Sequence, residues 1–75
     1  MKRPVTLTAI EQFLRVTGMG PSRFGRAAVS DGNFVTDLRK GAEIGPRRQI
    51  RVALFIKDHV RAARKQADKL EDLFQ

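Results

Sequence analysis

Residues 21–41 read Pro21-Ser22-Arg23-Phe24-Gly25-Arg26-Ala27-Ala28-Val29-Ser30-Asp31-Gly32-Asn33-Phe34-Val35-Thr36-Asp37-Leu38-Arg39-Lys40-Gly41, and their spacing decides the fold. Pro21 suits the first position of a helix, where its missing N–H costs nothing. Ser30 or Asp31 caps a second helix, which carries Phe34, Val35 and Leu38 on one apolar side. That helix runs to Lys40, and Gly41 takes the left-handed conformation that ends it. The pattern is two short helices, a tight turn between them, and a small residue, Gly25, where they cross.

Upstream, Thr8-Ala9-Ile10-Glu11 has capping-box spacing, so the first helix is expected to begin at Thr8, with hydroxyl and carboxylate satisfying each other's backbone N–H groups. Ile10, Phe13, Leu14 and Thr17 then share a face, and Gly18 stops the helix. Met19 and Phe24 have the spacing of a hydrophobic staple across the next helix start. Residues 1–7 form a basic arm. Its Lys2 and Arg3 either reach a phosphate or a minor groove, or belong to a frayed terminus.

Downstream, a loop from Ala42 to Gly45 leads to Pro46, again a proline at a helix start, and nothing breaks the helix over 46–75. Ile50 and Leu54 are expected to look inward to the other helices. Ala53, Ile56, Val60, Ala63, Ala67, Leu70 and Phe74 alternate in spacings of three and four, as in a coiled-coil seam. The expectation is therefore an all-α, four-helix single domain over 1–75. The first half of its long last helix joins the core, and the distal half either self-associates through that seam, folds back over the bundle, or frays.

Seventy-five residues allow a modest core and leave little for a catalytic cleft. The net charge of +7 favours a polyanionic partner. It is uneven, because residues 1–48 carry nine basic and four acidic side chains while residues 65–75 carry two and three. The basic surface therefore belongs to the half that holds residues 21–41. There is no cysteine, which excludes disulfides and thiolate metal sites and fits a reducing compartment. No apolar run approaches the roughly 20 residues of a membrane span. A cytoplasmic, nucleoid-associated protein with no membrane partner is expected.

Residues 21–41 resemble the helix-turn-helix of the lambda repressor and Cro-like family of bacterial and phage regulators, and residues 8–56 would cover most of that family's helical core. The likeness is carried by Phe24 followed by the small Gly25, and by Val35, Leu38 and Gly41 in the second helix. At the turn the family usually places Gly, and this chain has Val29. The resemblance implies that the second helix of the pair is a recognition helix lying in a DNA major groove.

With Val35 and Leu38 inward, Asn33, Thr36, Asp37 and Lys40 project outward. Asn33 suits bidentate pairing with adenine, and Thr36 suits a hydroxyl contact or a thymine methyl. Asp37 either accepts from cytosine N4 or pairs with Arg39 or Lys40. Ser22 and Arg23 open the first helix of the pair, where family members commonly hold a backbone phosphate. Arg39, Lys40, Arg47 and Arg48 flank the recognition helix as phosphate clamps or as solvated surface.

Other signals are weak. Gly18-Met19-Gly20 lacks the third glycine and the preceding strand of a phosphate loop. His59 has no second metal ligand four residues on. No catalytic set, metal site or cofactor is expected. The leading expectation is a dimeric, sequence-specific regulator of transcription that binds double-stranded DNA, acting by occupancy or by touching RNA polymerase or another regulator. The alternative is a protein-interaction adaptor that docks its long amphipathic helix on a partner and uses the two short helices as scaffold.

Overall fold

The computed structural model describes residues 4–73, with four helices and, among those residues, no strand. They are α1 (Leu7–Thr17), α2 (Pro21–Val29), α3 (Phe34–Arg39) and α4 (Pro46–Asp72). Lys2, Arg3 and Phe74 lie outside the described residues.

Helix α1 is capped two residues before the expected capping box. Thr6, in extended conformation, is the cap, and its Oγ1 accepts from the Ala9 N–H at 3.2 Å. The earlier start brings Leu7 into the helix, where it packs against the core. Glu11 is thereby released from capping and turns to α3. Gly18 ends the helix at φ 73°, as expected.

The chain ahead of α1 is tied down at Val5. Gln49 of α4 accepts from the Val5 N–H at 2.7 Å and donates to its carbonyl at 2.8 Å, so a side-chain amide pairs with one residue's backbone as a neighbouring strand would. Both groups are satisfied in a half-buried place where an unmet partner is costly.

The core draws Ile10 and Leu14 from α1, Phe24, Ala28 and Val29 from α2, Phe34, Val35 and Leu38 from α3, and Val52 from α4. Each large apolar side chain among them contributes roughly 1.5–3 kcal/mol by leaving water. Phe13, Phe24 and Phe55 join α1, α2 and α4 in tilted and edge-on contacts, with ring centroids 5.5–6.2 Å apart. His59 extends this cluster, edge-on to Phe13 at 5.2 Å.

The long helix does not present the face expected of it. Ile50 and Leu54 are 62% and 55% exposed, while Val52, Phe55 and Ile56 meet the bundle. At 100° per residue, 50 and 54 lie nearly opposite 52 on the helix. The Gln49–Val5 pairing, one turn from Val52 and two from Ile56, holds this rotation. Ile56, expected in the seam, is instead half-buried against its own core. From Arg61 to Leu73 every residue is exposed, a stretch of about 20 Å of helix.

Candidate nucleic-acid interface

Gly25 is the hinge point of the α2–α3 pair. A Cβ built there would collide with the Asp31 carbonyl oxygen and stand 3.2 Å from the Phe34 Cβ. Only hydrogen fits where the turn crosses α2.

The turn itself differs in detail from the expected one. Val29 stays helical and buried, and the left-handed residue is Ser30 at φ 58°. The Ser30 N–H donates to the Arg26 carbonyl, the 5→1 bond of an αL cap, and the Asp31 N–H donates to the Gly25 carbonyl, both at 3.1 Å, which closes α2. Placing the left-handed residue one position later lets a β-branched valine stand beside the turn without strain. Neither Ser30 nor Asp31 caps α3 directly. Its cap position is Asn33, with no side-chain cap bond, and Asp31 Oδ1 accepts from the Asn33 N–H at 3.0 Å in an Asx turn.

Three arginines gather around this turn. Arg48 Nη1 donates to Asp31 Oδ2 at 3.1 Å, and its guanidinium lies 5.4 Å over the Phe34 ring. Arg51 Nη2 donates to Ser30 Oγ at 3.3 Å. The Arg26 side chain runs beside Gly32, its Cγ 3.5 Å from where a Cβ would be. Neither Arg26 nor Arg51 stood out in the sequence. The signal was their spacing, Arg26 three residues after Arg23 and Arg51 three after Arg48, each on the same helix side as its predecessor. Asp31 is held below the usual carboxylate range, first by the Asn33 N–H and then by the hydrogen bond from Arg48, against the opposing effect of burial.

On α3, Val35 and Leu38 are buried while Asn33, Thr36, Asp37 and Lys40 are exposed, the division read from the sequence. Ser22, Arg23 and Arg47 are also exposed. Arg39 is already engaged, with Nε and Nη2 donating to the two Glu11 oxygens at 2.8 and 2.7 Å. Asp37 pairs with neither Arg39 nor Lys40, since the ion pairs among the described residues are Arg39–Glu11 and Arg48–Asp31.

No family model, curated protein or solved structure matches the chain. Between residues 21 and 51 there are seven basic side chains and three acidic ones, and Asp31 is partnered by Arg48. Among the described residues no group of His, Asp and Glu is arranged to hold a metal ion. No helix in them is long and apolar enough to cross a membrane.

Proposed function

We propose that this protein is a sequence-specific regulator of transcription that binds double-stranded DNA with α3 in the major groove and works as a homodimer. The observation that carries this reading is the surface around α3. Asn33, Thr36, Asp37 and Lys40 are solvent-facing on a helix whose other side is locked into the core, and Arg26, Arg48 and Arg51 converge on the turn in front of it. Such an element offers hydrogen-bonding side chains to base edges and cations to the phosphates on either side.

The roles divide by position. Asn33, Thr36 and Asp37 meet base edges, and Ser22, Arg23, Lys40 and Arg47 hold phosphates. Arg39 and Arg48 reach phosphates only by sharing or leaving the carboxylates that now hold them. A dimer reads two half-sites, raising affinity beyond what one small module achieves. The sequence of residues 21–41 resembles the helix-turn-helix of lambda repressor and Cro-like regulators, and the close crossing at Gly25 supports this mode.

The test is fluorescence anisotropy with duplexes recovered by selection from a random pool, over a range of salt. Affinity should fall steeply as salt rises, since each phosphate contact releases condensed counterions. Absence of duplex binding at low salt would sink the reading. The exposed distal half of α4 favours a second reading, in which the chain is an adaptor that docks this helix on RNA polymerase or another regulator. Binding to a protein partner by a chain that ignores DNA would favour it.

A further inference from the structure

The inward side of α4 does not end where the bundle ends. Val52 is buried and Ile56 and His59 are half-buried, and the same side continues through Ala63, Ala67 and Leu70 in full contact with solvent. Next to it, Phe13 and Val16 at the end of α1 complete a groove with His59, Val60, Ala63 and Ala67. Val16 is 79% exposed and Leu70 55%. Ala63 and Ala67 give the groove small residues, and Thr17 and Arg64 complete its lining.

The charges beside this seam run in an order. Lys57, Arg64 and Glu71 are seven residues apart and so follow one flank, basic near the bundle and acidic at the far end. The other flank, His59, Gln66 and Leu73, has no Lys, Arg, Asp or Glu. Lys57, Arg64 and Glu71 form no ion pair among the described residues. Two such helices laid parallel would set the charged flank of each against the uncharged flank of the other, and would stack Leu70 on Leu70. Laid antiparallel, they set charged flank on charged flank, so that Glu71 of each copy meets Arg64 of the other. Each Leu70 then comes opposite the small and medium residues of the groove.

We propose that α4 pairs antiparallel with α4 of a second copy, the Leu70 end of each seated in the Phe13–Val16–Ala63 groove of the other, with Glu71 against Arg64. The proposal rests on the self-association named above, and supplies its surface and direction. It stands apart from DNA binding, so both are measured without DNA present.

Sedimentation equilibrium on the full chain should show a dimer. Arg64→Glu and Glu71→Arg should each weaken it by about tenfold, because a symmetric dimer contains the pair twice. The two changes together should restore it to within about threefold of the unaltered chain. Circular dichroism melting checks that each variant is folded. A Leu70→Cys variant, which has no other cysteine, should resist forming a symmetric disulfide on oxidation. A protein that stays monomeric to about 100 μM, a double variant as weak as either single one, or rapid disulfide cross-linking of the Leu70→Cys variant would each overturn the proposal. None of these outcomes bears on duplex binding by α3, which the anisotropy measurement decides separately.

Discussion

Arg39 grips Glu11 with two parallel hydrogen bonds, Nε to Oε2 at 2.8 Å and Nη2 to Oε1 at 2.7 Å, and so ties the last turn of α3 to the first half of α1 across 28 residues of chain. The planar guanidinium matches the carboxylate in a way that lysine does not. The pair fixes the tilt of the helix that presents Asn33, Thr36 and Asp37.

This pairing has a pH signature. The Arg39 hydrogen bond, opposed by desolvation and assisted by the charges of Arg39 and Arg15, holds Glu11 below its ordinary value of 4.5. A depressed carboxylate contributes stability above its unfolded-state pKa and loses it as pH falls through the folded-state value. The contribution is thus whole at neutral pH and disappears in acid. Carbon-detected NMR of the Glu11 carboxyl should give a midpoint below 4.5, and Arg39→Gln should return it towards that value. An identical midpoint in the variant would show that the pair is absent in solution.

Gly25→Ala should destabilise the fold by roughly 1–3 kcal/mol, since the added methyl must displace the Asp31 carbonyl and the Phe34 side chain. Gly20→Ala is the control, because a Cβ there meets nothing within 4 Å. Urea unfolding of the two variants should separate them clearly. Equal stability would mean that the turn does not cross α2 at Gly25.

Arg47→Ala with Arg48→Ala should weaken binding to every duplex and flatten its dependence on salt, by about 0.9 in log–log slope for each phosphate no longer neutralised. Arg48 also holds Asp31 and covers Phe34, so Arg47→Ala alone, which breaks no ion pair among the described residues, must move the slope in the same direction. An unchanged slope in both would remove these arginines from the interface.

Asn33→Ala should cost on the order of 1–3 kcal/mol at the preferred sequence and little on random DNA. Its side chain makes no cap bond to α3, so the loss is not one of folding. Equal losses on both kinds of DNA would mean that another residue reads the base.

Val60→Glu with Leu70→Glu should yield a folded monomer that binds a single half-site normally and a full operator weakly, the tether between half-sites being gone. Val60 is 43% exposed and Leu70 55%, so the substitutions leave the core intact. Sedimentation and anisotropy on the same samples check it. Undiminished binding to the full operator would show that dimerisation plays no part in recognition.

The residues that stop and start helices were legible one by one. Pro21 and Pro46 at helix starts, Gly18 and Gly41 in left-handed stops, and the buried Phe34, Val35 and Leu38 all act through local geometry, which neighbouring residues set by themselves. So did Gly25, because a glycine between Phe24 and Arg26 in mid-helix calls for a close approach from outside. What the local pattern left open were competitions between equivalent partners. Two threonines were available to cap α1, and burial of Leu7 favoured Thr6 over Thr8. Glu11 had a backbone N–H or a guanidinium to meet, and only the docking of α3 on α1 brought Arg39 within 2.7 Å. The same holds for the rotation of α4. Its apolar residues occur on several sides, so Ile50 and Leu54 were as eligible for the core as Val52 and Ile56 until the pairing of Gln49 with Val5 turned the helix. Sequence periodicity determines which residues share a face, whereas the contact between elements far apart in the chain decides which of those faces is inside.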